Sequence, residues 1–181
     1  MAERLVVLSD MWGARKGLWI TSYLGYLQQY FDIVYYDSQQ LADLDVVVHT
    51  RENLCKAFFD GGRETAIAQI LRKETEPSHY LTFCAGGTIG WEAALKGLPM
   101  KSLYAVSPIN LHLQDQKPDC PVNLLFGEYQ EEKPDAAWAK ELGVTMDVVP
   151  QFGNELYSDE KIIQKVCLSL LERVLKKQFQ Y

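Results

Sequence analysis

Histidine is scarce in this chain: there are three in 181 residues, at positions 49, 79 and 112. Chemistry that needs an imidazole therefore has few places to stand. The four cysteines, Cys55, Cys84, Cys120 and Cys167, include no Cys-x-x-Cys pair and none at metal-ligand spacing beside a histidine. That argues against a zinc site and a dithiol redox motif, and leaves four reduced thiols as expected in a cytosolic protein. No apolar run approaches the ~18 residues of a membrane span. The start, Met-Ala-Glu-Arg, leads straight into a strand, so no signal peptide is expected and the location expected is cytoplasmic. Positive charge is not in excess either. The balance of 18 basic and 24 acidic residues gives −6, against nucleic acid or an anionic membrane as partner. Gly61-Gly62 precedes a helix, but without a preceding strand or a Lys-Ser/Thr ending it reads as a turn into that helix and not as a phosphate cradle. No cofactor and no metal is expected. There is no repeat, low-complexity tract or linker, so one domain over 1–181 is expected, with no indication of oligomeric state.

What is present is an alternation of short apolar runs and helical periodicity. Arg4–Ser9 reads as a buried strand. After the polar break Ser9-Asp10-Met11-Trp12-Gly13, a helix is predicted over Leu18–Tyr30, with Leu18, Trp19, Tyr23, Leu24 and Leu27 on one face. Asp32–Asp37 is a second strand. Leu41–Phe59 is poorly legible: Asp45–His49 fits a short strand and Glu52–Phe59 a helical turn or helix. An amphipathic helix follows over Arg63–Lys73. Further strands are predicted at Lys101–Ser107, Pro121–Gly127 and Val144–Val149, with a helix from Asp135 to Leu142 ending at Gly143. A last helix runs from Asp159 to Lys177, carrying Ile162, Ile163, Val166, Cys167, Leu170, Leu171, Val174 and Leu175 on one face. Such β-α-β succession implies a mostly parallel, three-layer sheet of about six strands with helices on both faces.

The centre of this pattern is Tyr80-Leu-Thr-Phe-Cys-Ala-Gly-Gly-Thr-Ile-Gly-Trp-Glu-Ala-Ala-Leu95. A strand enters a Cys-Ala-Gly-Gly corner and a helix leaves it, with Cys84 at the apex. The stretch resembles the nucleophile elbow of the α/β-hydrolase superfamily, in which a Ser or Cys sits between small residues on a strained strand-to-helix turn. Thr82 stands where that family usually has glycine. The resemblance covers nearly everything from Arg4 to Lys177. It implies a small, lidless member without the two amino-terminal antiparallel strands.

The resemblance also implies a site. Cys84 takes the nucleophile position, and a thiol at a helix amino terminus is expected to favour thiolate. Against that, cysteine is among the residues most often simply buried. The backbone N–H groups of Met11 and Ala85 would form the oxyanion hole. The acid position, in Gly127-Glu-Tyr-Gln-Glu-Glu-Lys-Pro134, holds Gln130. The histidine position, in Phe152-Gly153-Asn154-Glu155, holds Asn154, which has no nitrogen that takes a proton near neutral pH. Neither Glu131 nor Glu132, next to Gln130, reads as more than a solvated loop charge. Asp10, if it faced the site, would oppose a forming oxyanion. His79 precedes the elbow strand, at the wrong end of the sheet; His112 follows the next strand, on the correct side, and is the one surrogate base available. Two functions fit. One is a cysteine hydrolase of small esters or thioesters, weakened or silenced at Gln130 and Asn154. The other is a non-catalytic hydrolase fold that binds a small ester or acyl ligand or a protein partner.

Overall fold

The computed structural model describes residues 2–176; the termini of the expected 1–181 domain, and the predicted end of the last helix at Lys177, lie outside the described residues. In chain order the elements are β1 (Glu3–Leu8), α1 (Leu18–Leu27), β2 (Phe31–Tyr36), α2 (Ser38–Leu41), α3 (Arg51–Ala57), α4 (Arg63–Lys73), β3 (Ser78–Phe83), α5 (Ala85–Leu95), β4 (Met100–Val106), β5 (Val122–Gly127), α6 (Ala136–Leu142), β6 (Thr145–Val149) and α7 (Glu160–Lys176). The six strands form one sheet in the order β2-β1-β3-β4-β5-β6, and every pair is parallel. In a parallel sheet both faces are covered, so its central strands are buried on both sides. Accordingly β3 and β5 are buried at every position.

Adjacent residues of β3 show that helices lie on both faces. Phe83 packs its ring on Trp19 of α1, centroids 4.7 Å apart. Its neighbour Thr82 lies against Gly87 and Gly90 of α5. Successive side chains on a strand point to opposite faces, so α1 and α5 sandwich the sheet. Helix α7 packs beside α1, while α2, α4 and α5 pack together. Stacking of Trp91 on Trp138, at 5.9 Å, brings α6 to the α5 side.

Thr82 is accommodated where a glycine was expected because the opposing helix supplies glycines in its place: a Cβ on Gly90 would come 3.4 Å from the Thr82 methyl. At the amino end of the sheet the buried Glu74 carboxylate is held by Arg4, with the second contact at 3.0 Å, and by the Tyr36 hydroxyl at 2.7 Å.

Three local expectations are corrected. Helix α1 ends at Leu27, not Tyr30. Leu18, the first residue of the helix, is 86% exposed, and Ile20 is buried in its place. Asp45–His49 is no strand. It is a bent loop with Val47 exposed at 92%; strand propensity is not realised without a neighbouring strand to pair with. No helix among the described residues is long and apolar enough to cross a membrane.

Candidate active site

Everything at the candidate site hangs from the carboxyl edge of the sheet. Cys84 follows the last residue of β3 and precedes α5, with φ 50° and ψ −119°, a backbone conformation rare for any residue but glycine. Its own N–H extends the ladder to Val106 O at 3.0 Å, and its carbonyl accepts from Gly87 N–H at 2.9 Å. The corner is tight: a Cβ on Gly86 would sit 2.4 Å from Ser9 O, and one on Gly87 2.8 Å from Pro108 Cβ. The elbow therefore exists as a backbone structure.

Its thiol is not placed as a free nucleophile. Cys84 is 3% exposed. Burial, with the Asp10 charge adding to it, pushes the thiol up to about 12; the nearby Met11 and Ala85 N–H groups and the Arg51 charge pull the other way. Burial thus works against the thiolate expected at a helix amino terminus, because desolvation outweighs the nearby donors. The Met11 and Ala85 N–H groups both act on the thiol, so both lie near the sulfur.

Asp10 does not point at an oxyanion position. Its Oδ1 accepts from the N–H groups of Trp12 (3.1 Å) and Gly13 (3.2 Å), and its Oδ2 accepts from the Tyr157 hydroxyl at 2.7 Å. Burial still raises this carboxyl to about 6 against those three donors. Tyr157 is itself locked: its carbonyl accepts from the Tyr23 hydroxyl at 2.9 Å, and its ring lies 4.6 Å from that of Trp19. Sequence reasoning missed Tyr157 because nothing local ties a residue 147 positions away to Asp10.

Beside the elbow the loops after β4, β5 and β6, together with α3, enclose an open cleft of about 1060 Å³. Gln130 and Asn154 both line it, and Cys84 does not. Gln130 is buried; its Oε1 accepts from Ser107 Oγ at 2.7 Å and its Nε2 donates to Pro108 O at 3.1 Å. With its amide oxygen toward α3, Asn154 accepts from both Nη atoms of Arg51, the second at 2.9 Å. The amides in the acid and histidine positions are thus engaged elsewhere, and neither is hydrogen-bonded to Cys84.

The histidines do not replace them. His112 lies at the carboxyl edge, but its Nδ1 is 3.1 Å from Glu132 O, and it faces a separate groove shared with Trp138. No hydrogen bond joins His112 to Cys84 among the described residues, and its groove adjoins the cleft across Glu131 and Glu132. His49 pairs with Arg15 at 3.2 Å, and His79 lies on β3 near its amino end, 2.7 Å from Ser102 Oγ. Among the described residues no group of three or more His, Cys, Asp or Glu side chains is arranged to hold a metal.

Solved structures share this architecture. The chain matches a Xanthomonas campestris protein, provisionally named a hydrolase of the alpha/beta superfamily, with TM-score 0.70 and 16% identity over 96% of this chain and 99% of that one. Mouse alpha/beta hydrolase domain-containing protein 10 matches with TM-score 0.69 and 11% identity, over 95% of this chain and 89% of that one. A carboxylesterase from Bacillus subtilis matches with TM-score 0.61 and 12% identity, over 94% and 83%. No protein-family model and no curated protein matches the sequence. The chain has the α/β-hydrolase fold. At these identities the likeness is one of fold, and what the site does must be argued from its own residues.

Proposed function

We propose that this protein uses the α/β-hydrolase fold to bind a small ligand in the cleft at the carboxyl edge, and that it does not turn over esters. The observation that carries the reading is the state of Cys84. Its side chain is 3% exposed and does not line the cleft, and burial pushes its thiol away from the thiolate. An elbow enzyme needs a base to activate its nucleophile and then water. Gln130 and Asn154 supply no base, and their hydrogen bonds hold them to other partners. A cysteine hydrolase of small esters or thioesters is the second reading. It is favoured by the strained φ at Cys84, which is held at a backbone energy of about 1–3 kcal/mol.

Release of 4-nitrophenol from 4-nitrophenyl acetate separates the two. The expected result is a rate indistinguishable between the unaltered protein and Cys84→Ala, with no acetylated Cys84 in the intact mass. Steady turnover that disappears in Cys84→Ala would establish the hydrolase in place of the binding protein.

A further inference from the structure

We infer that the ligand of this cleft is a small organic monocarboxylate with an apolar body, its carboxylate paired with the guanidinium of Arg51. The inference rests on the binding reading above. Arg51 opens α3 directly after its Thr50 cap and lines the cleft. Among the described residues it forms no ion pair, whereas Arg4 and Arg63 each do. Its one close side-chain partner is the Asn154 amide oxygen. A neutral acceptor orients a cation without cancelling its charge, so the guanidinium is aimed and still available. The planar fork of an arginine matches the two oxygens of a carboxylate.

The acids around the cleft set the charge the ligand can carry. Glu155 accepts from Trp12 Nε1 at 3.1 Å. Asp159 is taken by the amino end of α7, accepting from Lys161 N–H at 2.9 Å. Glu131 and Glu132, on the loop after β5, form no ion pair among the described residues and keep that lip negative. Neither the indole N–H of Trp12 nor the backbone N–H of Lys161 is charged, so four carboxylates share this lining with one guanidinium. The cleft therefore admits at most a single negative charge, seated at Arg51, and disfavours a dianion such as a phosphate monoester. Phe59, Ile109 and the exposed Tyr129 supply apolar wall for the rest of the molecule.

Calorimetric titration of the intact protein at low salt with benzoate, benzamide and phenyl phosphate tests this. Benzoate should bind at least tenfold more tightly than either of the others. Arg51→Gln should abolish the preference of benzoate over benzamide, and Arg51→Lys should keep part of it. Arg51 is exposed in the first turn of its helix, so neither substitution removes a core contact. Equal affinity for benzoate and benzamide, phenyl phosphate binding best, no binding of benzoate, or unchanged benzoate binding in Arg51→Gln would each overturn the proposal. None of those results alters the ester assay. Turnover dependent on Cys84 would instead remove the non-catalytic reading while leaving the carboxylate preference measurable.

Discussion

Asp10 shows at the scale of one residue what the site has become. Its carboxyl is raised from the ordinary 3.8 to about 6, chiefly by burial. The folded state therefore holds the Asp10 proton more tightly than the unfolded chain does. Between those two values stability falls as pH rises. The contribution is fully present below about pH 3.8 and lost above about 6. At about 1.36 kcal/mol per pKa unit the change is roughly 3 kcal/mol at most. Asp10→Asn keeps the oxygen that Trp12 and Gly13 bond and leaves Tyr157 a partner. In urea unfolding the variant should exceed the unaltered protein by about 1–3 kcal/mol at pH 8 and show no advantage at pH 3.5. An equal difference at both pH values would show that the charge is not its source. The apex position of Cys84 could be read from sequence because small residues crowd around it locally. The state of its thiol could not, because that depends on its burial and on the charge of Asp10, which only the folded chain brings beside it. Arg51 gave no signal at all: it lies in the stretch whose periodicity is weakest, and its role exists only opposite Asn154.

At the scale of elements, the elbow is a problem of backbone approach, and its glycines are unequal. A Cβ at Gly86 would meet Ser9 O at 2.4 Å, which is backbone and cannot swing away. Gly25 in α1 has nothing within 4 Å and lies on an exposed helical surface. Gly86→Ala should destabilise the protein by about 1–3 kcal/mol through overpacking. Gly25→Ala should stabilise it by roughly 0.5–1 kcal/mol, since alanine is the better helix residue. Thermal unfolding of the two variants side by side reads the contrast; a stable Gly86→Ala would mean that β1 and α5 can part. The six strands and the major helices were legible because a buried parallel sheet gives continuous apolar runs and its helices a 3.6-residue stripe. The stripe of α7 is an example, with Ile162, Val166, Leu170 and Val174 all buried. Asp45–His49 misled for the complementary reason: Val46, Val47 and Val48 have strand propensity but no strand to pair with.

For the whole molecule, catalysis would be a property of the shared carboxyl edge, to which the loops after β1, β3, β5 and β6 each contribute one part. Restoring two parts should not suffice. Gln130→Asp with Asn154→His supplies an acid and an imidazole, yet the thiol stays buried beside the charge of Asp10. Ester turnover by that double variant should remain near background. Adding Asp10→Asn removes the neighbouring charge and makes the thiolate easier to form. One pKa unit of easier ionisation is worth about tenfold in thiolate, so the triple variant should release 4-nitrophenol about tenfold faster than the double, and Cys84→Ala should abolish the gain. If the double variant is already as fast as the triple, Asp10 does not restrain the thiol, and the missing base alone separates this protein from a working hydrolase. If the triple variant is silent while it still folds, the barrier is the burial of the thiol itself. That burial belongs to the close packing of β1 against α5, where a Cβ on Gly86 would meet Ser9 O and Leu8, and no exchange of polar side chains would undo it.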